Sequence, residues 1–341
     1  MLEQLLFASL HNLHLLEKTD KATVVSDLMG LQAQFANNPK YALQIRAADY
    51  DEETWGEGLV KTWTFRGTLH AVRREELGLY LSAVGVKETW DDRWDLDPAL
   101  KPHWAEQLCS WIAAGITQRS ALKEQARASG MEPEVLKKVF HGWGGLLRDM
   151  CSRGMIAYAP GTGKEFVPCF DVEFMDRRTA RQEVIRRYFQ TFGPATFTDC
   201  AYFTGFRQRE VAELVEQAGL PLRSITHQGR EYHYLNQLPS TGQIPDCLFL
   251  AGFDQLILGY RERSRFLDEE DKTKVTTNTG IVFPTILLRG RLRARWKKER
   301  RRLVITPFRP LTKKDEGLIA GKAGEIFGPE LQTVVFAPPL S

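Results

Sequence analysis

An element order that recurs along the chain limits its fold more than any single motif does. Between about residues 101 and 170 the apolar spacing predicts helix, helix, helix, strand, turn, strand, and between about 179 and 238 the same order returns. In the later copy, Thr179 to Gln190 buries Val184, Ile185, Tyr188 and Phe189 and stops at Gly193-Pro194. Thr196, as an N-cap, starts a helix to Phe203 that ends at Gly205, and Gln208 to Ala218 turns Val211, Leu214 and Val215 inward. Leu222 to Ile225 and Tyr232 to Leu235 then flank a turn at Gln228-Gly229-Arg230.

In the earlier copy, His103 to Ala113 precedes a short helix that Thr117 can cap, and Glu134 to Cys151 reads as a helix weakened by Gly142, Gly144 and Gly145. Met155 to Tyr158 and Phe166 to Pro168 flank the tip Gly161-Thr162-Gly163-Lys164. That tip is no P-loop, because Glu165 follows the lysine and β-prone residues come next. Residues 1–90 carry a looser version. Leu2 to Leu16 and Lys21 to Met29 read as helices, and Tyr41 to Ile45 and Asp51 to Val60 as shorter ones. A β-prone run from Lys61 to Val72 has Gly67 at its turn, and Glu75 to Leu81 is helical. From Pro245 helical periodicity disappears until about Lys313 to Phe327.

The expected fold class is therefore α+β. Three tandem winged-helix domains (1–90, 91–177 and 178–243) precede a C-terminal β-barrel-like domain (244–341), with repetition in element order only.

At 341 residues, 43% apolar and 26% charged, the chain should be soluble and folded. No apolar stretch approaches the roughly 18 residues of a membrane span. Glu3, Gln4, His11, Asn12 and His14 interrupt the first helix, which reads as amphipathic rather than as a signal peptide. The expectation is a cytoplasmic protein with no membrane partner. Cys109, Cys151, Cys169, Cys200 and Cys247 lie far apart, so no zinc or redox spacing is present, and neither metal nor cofactor is expected.

Charge is concentrated locally. From Ile286 to Lys314 twelve Arg or Lys residues face one acid, Glu299, while Asp268-Glu269-Glu270-Asp271 is acidic. Arg289, Arg291, Arg293 and Arg295 alternate with Gly290, Leu292, Ala294 and Trp296, which in a strand puts four guanidiniums on one face. Like charges so placed repel unless something anionic compensates, and a phosphate backbone is the expected partner, with a simple solvated face or an acidic protein partner as the alternatives. Lys164 on the wing tip, with Arg207 and Arg209 at a helix start, extends the basic surface.

Met29-Gly30-Leu31-Gln32-Ala33-Gln34-Phe35-Ala36 is the remaining unusual stretch. Gly30 loosens the end of a helix, and Asn37, Asn38 and Pro39 break the backbone beyond. Two amides separated by one small residue point the same way if the chain is extended. Amides cannot act as bases near neutral pH, but their oxygens can hold a water or face developing positive charge. The alternative is that both glutamines cap local backbone groups.

Gly30-Leu31-Gln32-Ala33-Gln34, Arg66-Gly67-Thr68-Leu69-His70 and the stretch from Arg187-Tyr188-Phe189 through Gly193-Pro194-Ala195-Thr196 to Asp199 carry a family resemblance. So do Gly252-Phe253-Asp254-Gln255-Leu256-Ile257-Leu258-Gly259-Tyr260-Arg261 and Gly280-Ile281-Val282-Phe283-Pro284-Thr285. Together, in this order, they resemble the AlkZ/YcaQ-like DNA glycosylases. The resemblance implies three tandem winged-helix motifs and a β-barrel around duplex DNA, removal of alkylated purines, chiefly N7-alkylguanine, and in some members unhooking of interstrand crosslinks. It places the catalytic pair on Gln32 and Gln34. This is the Gln-x-Gln branch, which includes a self-resistance enzyme, whereas the other branch would have Asp at position 34. The implied partner is duplex DNA with alkylated purines, bound by a monomer, and no Schiff base is implied, Lys40 being the nearest candidate nucleophile. His70, Asp254 and Tyr260 are candidates for active-site support, the alternative and favoured reading being structural: His70 in a wing on a phosphate or packed beneath the turn, Asp254 and Tyr260 fixing a barrel turn. Arg66 is expected on a phosphate. Arg66, Thr68 and His70 are expected on one face of a β-prone segment. A non-catalytic winged-helix regulator is the rival reading.

Overall fold

The computed structural model describes residues 1–86, 89–161, 163–239 and 242–340. Thr162, in the expected wing tip, lies outside them, as do Lys87 and Glu88 of the connection after the first segment. The chain forms a mixed α+β structure of two compact units, one comprising 1–32, 38–55 and 185–341, the other 33–37 and 56–184. Among the described residues no helix is long and apolar enough to cross a membrane.

In the first unit the helices Leu2–Asn12, Lys21–Asp27 and Asn37–Arg46 come first. Asp20 caps the second, accepting from the Thr23 backbone N–H at 2.9 Å. That helix stops because Met29 and Gly30 take left-handed φ of 52° and 87°, and the short strand Leu31–Gln32 follows. The expected break at Asn37-Asn38-Pro39 is instead the first turn of the next helix. Proline is tolerated there because the first N–H groups of a helix have no intrahelical partner.

Farther along, the helix Phe197–Thr204 has a full capping box between Thr196 and Asp199 and ends at left-handed Gly205. The hairpin Arg223–His227 and Arg230–Tyr234 turns at Gln228-Gly229, both with positive φ, as the twist of a two-residue hairpin requires.

The C-terminal part of this unit is one five-stranded sheet. Its order is Thr333–Phe336, Arg302–Pro307, Arg291–Glu299, Thr285–Leu288, Cys247–Leu250, and only the first pair is parallel. Among the described residues the sheet is open, with edges at the first and last of these strands, rather than a closed barrel. The helix Lys313–Phe327, capped by Thr312, buries Ile319, Ala323 and Phe327 against Phe249, Ile286, Trp296 and Ile305. Tyr41 and Ile45 pack on the same core.

The second unit holds the strands Leu69–Arg73, Leu59–Trp63, Ile156–Tyr158 and Phe166–Pro168, which are sheet neighbours in that order and pair antiparallel. Two hairpins read separately in the sequence therefore share one sheet. The Ala33 backbone N–H donates to the Leu69 carbonyl at 2.7 Å.

Three sequence expectations change here. Residues 52–58 form turns rather than a helix. The expected helix Glu134–Cys151 is two short ones, Pro133–Val139 and Leu146–Ser152, because Gly144 and Gly145 adopt φ of 131° and 63°. Thr117 does not cap the helix Arg119–Ala128; its hydroxyl donates to Glu165. The core of this unit gathers Leu108, Ile112, Leu122, Leu136, Leu147, Met150 and Ile156.

Candidate active site

Gln32 is 6% exposed and lines a cavity of about 10 Å³ with Leu31, Asn38, Arg46, Gly252, Asp254 and Gln255. Every wall of this cavity belongs to the first unit. Gly252 sits where it does because an added Cβ would lie 2.6 Å from Asn38 Oδ1. Asp254 caps the one-turn helix Gln255–Leu258, accepting from Leu256 N–H at 2.9 Å, and its carboxylate also takes Arg46 Nη2 at 2.7 Å. Both side chains of that ion pair are buried. Arg46 anchors itself further through Nε to the Leu13 carbonyl, and Gln255 donates to the Gly30 carbonyl at 2.5 Å. Asp254 and Arg46 thus hold the bend that follows the strand Cys247–Leu250, while Gln255 ties that bend to the backbone two residues before Gln32.

Arg46 Nη1 and Gln255 Oε1, a buried donor and a buried acceptor, find no hydrogen-bond partner among the described residues. Asn38, Arg46 and Gln255 escaped the sequence reading as site residues. The signal that could have found them is Gly252, a small residue inside a motif already singled out.

Gln34 belongs to the second unit and is exposed, as is Phe35. The two glutamines therefore differ: one is a wall of a packed cavity, the other is open to solvent. Close by in the second unit, the turn between Leu59–Trp63 and Leu69–Arg73 places Arg66 at φ 55° within a 3-10 turn. Arg66 is thus not on a strand, and its expected alternation with Thr68 and His70 does not occur.

His70 is fully buried. Its Nδ1 lies 3.1 Å from the Thr68 carbonyl and 2.9 Å from Thr64 Oγ1, so Nδ1 carries the proton and Nε2 is left as an acceptor. Burial first, and the Arg66 charge second, hold His70 down to about 3, so the ring is neutral at pH 7. Nε2 has no hydrogen-bond partner among the described residues.

Tyr260 is buried and donates to the Phe192 carbonyl at 2.8 Å, with the Arg265 guanidinium 4.4 Å from its ring centroid. It and Asp254 are fixed inside the first unit. Lys40 is ion-paired with Glu52, which also accepts from Tyr50.

Arg291, Arg293 and Arg295 alternate with buried Leu292, Ala294 and Trp296 as expected. Arg289 is not on the strand: with Gly290 it forms the two-residue turn, at φ 46° and 78°. The anionic compensation these arginines need comes from the chain itself. Arg293 meets Asp268 at 2.6 Å and Asp271 at 3.5 Å, Arg291 meets Asp268 at 3.5 Å, and Arg289 meets Asp315 at 2.7 Å. Arg295 donates to the backbone carbonyls of Lys274 and Thr273 and lies over the Phe283 ring. Lys164, Arg207 and Arg209 are exposed, and of these Arg209 pairs with Glu213 on its own helix. Among the described residues no group of three or more His, Cys, Asp or Glu could hold a metal ion.

A family model described as DNA glycosylase AlkZ-like matches residues 25–326. The chain belongs to that family. An AlkZ-like DNA glycosylase is an enzyme, a hydrolase of N-glycosyl bonds in DNA. Among characterised proteins, an interstrand DNA cross-link repair glycosylase of Streptomyces sahachiroi is 25% identical over 311 residues, 84% of each chain. The structure of Streptomyces sahachiroi DNA glycosylase AlkZ matches the fold with a TM-score of 0.80 at 23% identity, covering 98% of this chain and 99% of that one.

Proposed function

We propose that this AlkZ-like glycosylase hydrolyses the N-glycosidic bond of N7-alkylated purines in duplex DNA, including bulky adducts and interstrand crosslinks, with Gln32 and Gln34 as its catalytic residues. The observation that carries this reading is the unequal placement of the two amides. Gln32 is immobilised in a packed wall, whereas Gln34 is exposed to solvent and so open to a ligand. Crosslinks enter the proposal through the Streptomyces sahachiroi relative, whose name describes cross-link repair.

An N7-alkylated purine already carries positive charge and leaves without being protonated. The reaction then needs no strong acid. It needs stabilisation of the oxocarbenium-like sugar and a water held near C1′, both within reach of carboxamide oxygens. A neutral, buried His70 adds no competing cation. With Lys40 held by Glu52, hydrolysis proceeds without a covalent amine intermediate, so the enzyme is monofunctional and needs no cofactor.

The segments 1–90, 91–177 and 178–243 are read as winged-helix units, and 244–341 as the β segment, of a cytoplasmic monomer that binds duplex DNA. Arg66, Lys164, Arg207 and Arg209 are assigned to phosphates. The arginines at 289, 291, 293 and 295 add only what charge their internal partners leave over.

Base release from duplexes bearing N7-methylguanine, an N3-alkyl purine or a crosslink tests the proposal. Gln34→Ala should lower single-turnover release from the N7-methylguanine duplex by roughly a hundredfold or more, the scale of losing one preorganised polar group, with duplex affinity nearly unchanged. Wild-type rates in the Gln32→Ala/Gln34→Ala double variant would overturn the assignment.

A further inference from the structure

The second unit contains a basic cavity of about 260 Å³ that no sequence motif announced. Trp63, Thr64 and Gly67 of the first hairpin line it, together with Arg93, Arg148, Asp149 and Arg153. Among the described residues its one carboxylate, Asp149, is already engaged. Asp149 accepts from the buried ammonium of Lys101 at 2.8 Å and from the Trp94 indole N–H at 3.1 Å, with Arg93 at 3.4 Å. Arg93 also holds Asp91, and Arg153 donates to the Thr89 carbonyl and stacks on Trp90 at 3.9 Å.

Arg148 differs from these neighbours. Its guanidinium lies 5.0 Å over the Trp63 ring and has no hydrogen-bond or ion-pair partner among the described residues. Stacking fixes the plane of the fork and leaves its N–H edges available. Burial first, and Arg93 second, hold Arg148 below the ordinary arginine value, as expected of a cation whose local field is not balanced.

Gly67, at φ 65°, faces the same group: a Cβ there would lie 3.8 Å from Arg148 Nη2. The hairpin that carries Gly67 also accepts the Ala33 N–H at Leu69, so its end lies beside the backbone that leads into Gln34.

We propose that Arg148, held on Trp63, binds a DNA backbone phosphate flanking the nucleotide presented to Gln34. A phosphodiester matches the site in charge and size and accepts bidentately from a planar fork. The assignment rests on the glycosylase reading only for which nucleotide lies next door; the phosphate contact itself stands on the geometry.

The test measures the affinity of the full chain for an undamaged 20-base-pair duplex across a salt series, alongside single-turnover release from the same duplex bearing one N7-methylguanine. Arg148→Gln should weaken binding to both duplexes about tenfold, the scale of one charge-assisted bond, and lower the log–log salt slope by about 0.9. Arg148→Lys should keep the slope and lose part of the affinity. An unchanged slope in Arg148→Gln, with circular dichroism matching wild type, would overturn the proposal. So would competition by free inorganic phosphate against wild type without any change in the duplex slope of Arg148→Gln. Failure of the glycosylase reading would look different, as absent base release by wild type while the Arg148→Gln slope still changes.

Discussion

His70 shows how a residue can be visible in a sequence while its chemistry is not. The run Arg66-Gly67-Thr68-Leu69-His70 marked it, but whether the ring would be charged depends on burial that no local pattern encodes. In the folded chain its value is depressed to about 3, whereas an unfolded chain takes up the proton near 6.5. The unfolded state therefore binds more protons throughout that window. Stability is full above about pH 6.5, falls as pH drops toward about 3, and levels below it. At about 1.4 kcal/mol per pH unit, wild type should lose roughly 2 kcal/mol from this group between pH 6.5 and 5. Denaturant melts at the two pH values should show that loss, and His70→Gln should reduce it. Equal pH dependence in the two proteins would mean that the ring is protonated in place. Gln32 was marked as a candidate for a different reason, because Gly30 and two spaced amides sit in one short stretch. Asn38 and Arg46 were not, because their partners Gly252 and Asp254 lie more than two hundred positions away.

Among the elements, those that carry their own stop and start signals were read correctly. The helix between Thr196 and Gly205 has both halves of a capping box and a left-handed terminator, and the helix Lys313–Phe327 starts at a second such box. Elsewhere local backbone chemistry overrode apolar spacing: Asp51 accepts from the Glu53 and Thr54 N–H groups and residues 52–58 form turns, while the run 134–151 divides at Gly144-Gly145, where the sequence marks it as weak. The strand Arg291–Glu299 falls between these cases. Period two set its faces, but the acids that neutralise it come from 268–271, a run the sequence marked as acidic without giving it a destination.

That pairing makes a prediction at this scale. Arg291→Gln/Arg293→Gln leaves Asp268 half-paired and Asp271, which is 1% exposed, with less compensation. Loss of one partner from such a network costs about 1–3 kcal/mol. The double variant should lower the unfolding midpoint in urea while changing the duplex salt slope by less than one unit. A fall of two units with unchanged stability would show that the strand faces DNA rather than its own acids.

For the whole chain, the four crossings between compact units, after residues 32, 37, 55 and 184, decide which fragments can stand alone. The segment 56–184 contains the strands Leu59–Trp63, Leu69–Arg73, Ile156–Tyr158 and Phe166–Pro168 and the apolar cluster around Leu108 and Met150, and from its unit lacks only 33–37. The segment 185–341 is continuous as well, but its buried polar groups are satisfied from far away. Asp254 loses Arg46, Arg265 loses the Ser9 hydroxyl, and the sheet core loses Tyr41 and Ile45. A buried carboxylate deprived of its cation costs about 3–5 kcal/mol, a large share of the 5–15 kcal/mol that holds a typical domain together. Expressed separately, 56–184 should unfold cooperatively in urea, whereas 185–341 should show no such transition. Supplying residues 1–55 in trans should restore the transition of 185–341 by returning Arg46, Ser9 and Tyr41, and Arg46→Met in that piece should abolish the rescue. A cooperative 185–341 fragment on its own would show that Asp254 is stabilised by its backbone N–H donors alone, and that Arg46 is dispensable to the bend on which the wall around Gln32 is built.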